Sequence, residues 1–250
     1  MAPDVAADER KARRRAQRQY KYSAVGRGFI GMIQNFGIVI VFVTANAAIQ
    51  ALLVWAVRVE RAPLGVWLPS TIASAIVVLV CLCYIARVGL ADKDERLGFA
   101  HGVKSATRRM LPFAGWTVVY GAIVTAGVIL GFWPGLVAAA IFVYAPLLAL
   151  DGEYKNPLGK SVIVVGQRFW HYIGAVVVFA ILAVLVAIGS GLDMVFLPAP
   201  LAPFVSQFLW GLYAAWAICT FGVLYRSTDT AEARRKERRD DLLAKEDIEF

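Results

Sequence analysis

Tyr172 to Leu192 reads YIGAVVVFAILAVLVAIGSGL, with no charged side chain along its length. Wound into an α-helix, such a run reaches about 30 Å, the thickness of a bilayer's hydrocarbon core. It is too long and too uniformly apolar for the alternating strands of a barrel, so its backbone groups must pair within one helix. Five further runs of the same character lie at about 33–57, 68–90, 112–131, 133–150 and 204–225. The chain is therefore read as all-α, one polytopic membrane domain with six transmembrane helices.

Composition agrees with lipid as the solvent. Of 250 residues, 59% are hydrophobic and 18% charged, where soluble domains carry roughly 45–50% and ~25%. Disordered, collagen-like and disulfide-scaffold classes are excluded by the same balance. The net charge of +8 could suggest nucleic acid, but the position of the basic residues argues otherwise. All but Arg58 and Arg61 of the 26 Lys and Arg residues fall in the N-terminal tail, in 87–109, in 155–168, or from Arg226 onward. That one-sidedness is what orientation in a bilayer demands, and it puts both termini in the cytoplasm of a bacterial-type inner membrane. No nucleic-acid partner is expected.

The polar, Arg-rich first 29 residues lack the short apolar core of a cleaved leader, so the first span is expected to act as its own anchor. Residues 1–24 then form a basic tail, 25–226 the membrane domain and 227–250 a charged helical tail. Arg13, Arg14, Arg15, Arg18 and Lys21 of the tail, with Arg108, Arg109 and Arg168 of the loops, are candidate contacts to anionic inner-leaflet lipid. Each well-placed charge contributes about 1 kcal/mol there. Trp55, Trp67, Trp116, Trp133, Trp170, Tyr84 and Tyr225 lie near span ends, as interfacial anchors do.

The chain also resembles itself. Val25-Gly26-Arg27 followed by Gln34-Asn35-Phe36 recurs as Leu158-Gly159-Lys160 followed by Gln167-Arg168-Phe169, at an offset of 133. A weaker copy, Phe99-Ala100-His101 followed by Arg108-Arg109-Met110, sits at an offset of 74. Each is an amphipathic stretch ending at once in an apolar span, which fits an interfacial helix. An interfacial helix plus two spans makes a unit, and units at about 25–98, 99–157 and 158–226 account for all six spans. The alternative is that every basic, aromatic approach to a membrane helix looks alike.

The Pro-Leu-Gly-Lys start at Pro157 leading to Gly-Gln-Arg-Phe-Trp at Gly166, and the ending Gly222-Val223-Leu224-Tyr225-Arg226, resemble the six-span glycerophosphoryl diester phosphodiesterase membrane domain and its YciC-like relatives. The resemblance implies a membrane module without the soluble phosphodiesterase for which that family is named.

Chemistry at a membrane needs converging polar groups, and ionisable residues at bilayer depth are costly enough to mark function. None lies well inside a span. Asp151 and Glu153 beside Lys155 are read as a solvated face, and Arg87 as a snorkelling side chain. Cys81, Cys83 and Cys219 are read as packing residues, His101 and His171 as members of interfacial segments, and His171 as an interfacial anchor, so no cofactor, metal or catalytic set is expected. The most pointed feature is Asn46 with Gln50, four residues apart and so on one helix face. A carboxamide in hydrocarbon must find a partner. Ser74 and Gln207 complete the candidate polar face, with Ser70, Thr71, Thr117 and Thr125 as further options. That face is either helix-to-helix glue or the lining of a cavity. The expected function is an integral membrane scaffold or accessory subunit that organises lipids and a protein partner or a second copy of itself. The alternative is a small transporter or lipid-handling protein using the Asn46 face.

Overall fold

A computed structural model of the chain describes residues 23–60, 64–91, 99–153, 155–198 and 201–228. Among these residues there are helices and turns but no strand. Six helices are long and apolar enough to cross a membrane: Phe36–Val54, Leu68–Gly89, Met110–Leu130, Phe132–Asp151, Phe169–Asp193 and Leu201–Arg226. The apolar runs read from the sequence coincide with them to within a turn of helix.

In chain order the elements are α1 (Ala24–Gln34), α2 (Phe36–Glu60), α3 (Leu64–Gly89), α4 (Phe99–Thr107), α5 (Met110–Leu130), α6 (Phe132–Phe142), α7 (Ala145–Asp151), α8 (Pro157–Gln167), α9 (Phe169–Phe196) and α10 (Leu201–Arg226). The short helices have explicit starts. The Ser23 hydroxyl accepts the Gly26 N–H at 3.2 Å to begin α1, and the Asn156 carboxamide accepts the Gly159 N–H at 2.9 Å to begin α8. Pro157 follows that cap, where its fixed φ suits a helix and its missing N–H costs nothing. Both helices are amphipathic. On α1, Gly28 and Met32 face the bundle while Phe29, Ile30 and Ile33 are exposed; on α8, Ser161, Val164 and Val165 are buried while Val162 and Ile163 are exposed. A short break, at Asn35, Arg108-Arg109 or Arg168, separates each of α1, α4 and α8 from the long helix that follows.

α10 is the hub, packed against α1, α2, α3 and α9. The crossing with α3 is backbone-close, since a Cβ on Gly222 would collide with the Gly89 carbonyl. α5 and α6 form a hairpin with a similar crossing, where a Cβ on Gly127 would come 2.8 Å from the Gly135 Cα. Burial concentrates toward the ends of the helices that carry the basic residues. There Tyr144, Leu148, Val164, Tyr172 and Tyr225 pack in one cluster, and Val39, Val43, Ala215 and Cys219 in another. Toward the opposite ends, Ile129, Leu130, Leu185, Ile188 and Phe196 are exposed. In hydrocarbon this costs little, because lipid tails solvate such side chains as well as protein does.

The fourth span is broken between α6 and α7. Pro146 has no N–H and its ring crowds the preceding turn, so the helix opens at Val143 and Tyr144. Neighbouring side chains take up the released backbone groups. The Ser161 hydroxyl accepts the Tyr144 N–H at 3.2 Å and donates to the Ile141 carbonyl at 2.7 Å, while the Tyr172 hydroxyl donates to the Ala140 carbonyl. Inside a membrane such replacement is the condition for an interrupted helix.

Candidate functional site

Two polar regions are built by this fold. The first lies within the spans. Gln50 is buried on α2, and its side-chain amide donates to the Ser74 carbonyl of α3 at 3.3 Å. The Ser74 hydroxyl donates back to Gln50 Oε1 at 2.7 Å, and the Asn46 Oδ1 accepts from Gln50 Nε2 at 3.5 Å. Asn46, Gln50 and Ser74 thus meet, as a clasp between the first two spans. Gln207 does not join them: half-buried on α10, it has no hydrogen bond to any of the three among the described residues. Thr117 turns its hydroxyl onto the Phe113 carbonyl of its own helix at 2.7 Å.

The second region is at the basic end. Arg87 near the end of α3, Lys104 and Ser105 on α4, Arg108 and Arg109 between α4 and α5, and Asp151 at the end of α7 surround a cavity of about 400 Å³. Arg87 Nε donates to the Ser105 hydroxyl at 2.7 Å, which binds α4 to α3. Arg109 Nη1 donates to the Leu150 carbonyl at 3.0 Å, a cation on the negative pole of α7. Tyr84 and Thr107 share a hydroxyl hydrogen bond of 3.1 Å, again between α3 and α4. Lys104 and Arg108 are exposed and make no side-chain hydrogen bond or ion pair among the described residues.

Several sequence-based expectations change here. Asp151 and Glu153 do not form a solvated face. Gly152 ends α7 in the left-handed region at φ 105°, which swings the chain inward and leaves Glu153 only 5% exposed. Its carboxylate accepts the Lys155 and Asn156 N–H groups at 3.2 and 3.5 Å and pairs with Lys160. Asp151 accepts the Tyr225 hydroxyl at 2.7 Å. Tyr225 is accordingly a core residue tying α10 to α7, not an interfacial anchor. Arg168, offered as a lipid contact, donates twice to the Ser227 carbonyl, at 3.2 and 2.8 Å. Arg109 likewise holds helices together, and Arg108 is exposed.

Trp133 and Trp170 are 74% and 80% exposed near helix ends, where an interfacial ring belongs. The three cysteines are buried, and the Cys83 thiol donates to the Ala106 carbonyl at 3.8 Å. Arg13, Arg14, Arg15, Arg18, Lys21 and the tail beyond Thr228 lie outside the described residues, as do the side chains of Trp55, Trp67 and His101. Sequence reasoning missed Ser161 and misread Glu153. The one legible signal was their place near Pro146 and Pro157, where backbone groups need substitute partners. Among the described residues the fold is all-helical, with six helices able to cross a membrane. No family model, curated protein or solved structure matches it.

Proposed function

We propose that the chain is an integral membrane scaffold or accessory subunit, without catalysis of its own, that organises lipids and a protein partner or second copy in a bacterial-type cytoplasmic membrane. Both termini lie on the cytoplasmic side, because the basic residues crowd that end of the spans. The domain is built from three units, each an interfacial helix followed by two spans. In support, α2, α5 and α9 begin at residues 36, 110 and 169, the same offsets at which the sequence recurs. The resemblance to the six-span phosphodiesterase membrane domain agrees with this reading.

The observation that carries the scaffold reading is the clasp. Gln50 and Ser74, the pointed polar groups within the spans, are hydrogen-bonded to each other, so their polarity joins two helices. This counts against a transporter whose conduit runs along the Asn46 face. Replacing Asn46 and Gln50 with Leu and measuring solute flux in proteoliposomes separates the two: a scaffold shows no flux difference from wild type once folding is verified. The direct test is purification from the native host in mild detergent. A defined complex of the chain with a stoichiometric subunit or retained lipid is expected, and a lone monomer without either contradicts the reading.

A further inference from the structure

Lys104 and Arg108 are one helical turn apart at the junction of α4 and α5, and both side chains open on the cavity at the basic end. Among the described residues the charges around that cavity are predominantly positive. Among the described residues, Arg87, Lys104, Arg108 and Arg109 line it against one carboxylate, Asp151, which accepts the Tyr225 hydroxyl. Arg109 is held by the Leu150 carbonyl and Arg87 reaches Ser105, so these two shape the walls. Lys104 and Arg108 are left with their donors unused among the described residues. Two exposed cations with walls that are themselves cationic suit a group carrying close to two negative charges and several acceptor oxygens. A phosphate monoester has about −1.5 to −2 charges and three such oxygens, whereas a diester carries one charge. The volume of about 400 Å³ has room for a small headgroup. Arg108 and Arg109 also lead into α5, whose amino end carries the positive pole of a 21-residue helix.

The geometry points to a phosphate-monoester site in this cavity, with Lys104 and Arg108 as its direct ligands and Arg87 and Arg109 as positioning residues. Basic pockets between membrane helices hold lipid headgroups in this way. The inference deepens the scaffold reading by naming the class of lipid, and it rests on the basic end lying at the inner leaflet. It does not depend on a protein partner, so loss of the partner and loss of the site are separately visible.

The test uses the full chain in nanodiscs of phosphatidylethanolamine doped with either phosphatidic acid or phosphatidylglycerol of matched acyl chains, with retained lipid measured by mass spectrometry. Wild type retains phosphatidic acid over phosphatidylglycerol by about tenfold, the scale of one good charge-assisted contact. K104Q/R108Q abolishes the preference, K104R keeps it, and K155Q, which removes an exposed cation elsewhere on the same side, leaves it intact. Inorganic phosphate and glycerol 3-phosphate, added in a second arm, distinguish the source. If they displace the lipid and raise the melting temperature of wild type but not of K104Q/R108Q, the site takes a soluble monoester; if they do neither, it takes the lipid. Equal retention of the two lipids without a phosphate-induced shift overturns the inference, as does unchanged binding in K104Q/R108Q.

Discussion

Ser161 is wholly buried, and one hydroxyl serves two backbone groups released by the break before α7. Replacing it with Ala leaves the Tyr144 N–H and the Ile141 carbonyl without that partner in a medium that offers no water. S161A is therefore expected to lose about 1–3 kcal/mol of stability, read from denaturant unfolding in mixed micelles; an unchanged midpoint would refute the assignment. The clasp is testable in the same currency. A double-mutant cycle on Q50L and S74A should give a coupling of about 0.5–2 kcal/mol, the range of hydrogen bonds between membrane helices, and additivity would show the contact is energetically idle. The pairing of Asn46 and Gln50 on one face was legible because helical spacing dictates it and hydrocarbon forces a carboxamide to find a partner. Burial of Glu153 and Tyr225 was not legible. Tyr225 reaches Asp151 across 74 residues of chain, and Glu153 is turned inward by one left-handed glycine.

At the scale of elements, the long helices were readable to within a turn because their ends are set by where apolar sequence stops, a local property. Pro146 likewise marks an interrupted helix. What sequence could not supply is who repairs it: Ser161 and Tyr172 come from α8 and α9, and only packing brings them there. The α5–α6 hairpin depends on its small residues in the same non-local way. A side chain at Gly127 would overlap the Gly135 backbone, so G127V should force the two helices apart at about 1–3 kcal/mol, the usual cost of overpacking. Cross-linking between cysteines introduced at Val128 and Leu136 reports it directly: efficient in the wild-type background, weakened in G127V. Equal efficiency in both would show that the hairpin does not require the close approach. Where α1 and α8 differ from ordinary surface helices is also physical, since Phe29, Ile33 and Ile163 remain exposed on elements beside the spans, as lipid permits and water discourages.

For the whole molecule, α10 gathers α1, α2, α3 and α9 about itself, while the tyrosine cluster at the basic end joins it to α7. The core is thus densest where the charges lie, and the far ends of α5, α6 and α9 are left to hydrocarbon. The all-helical character and the six span-length helices were legible from apolar length; the radial arrangement was not, because runs that are apolar all round do not reveal which face meets protein and which meets lipid. The scaffold role and the phosphate site both require the basic end to be a single side of the membrane. Paired reporters fused at Val59 and Phe196, one active only in the cytoplasm and one only outside it, measure this directly. Both positions should report the exterior; a cytoplasmic signal from either would contradict the six-span arrangement and the inner-leaflet placement of the phosphate site.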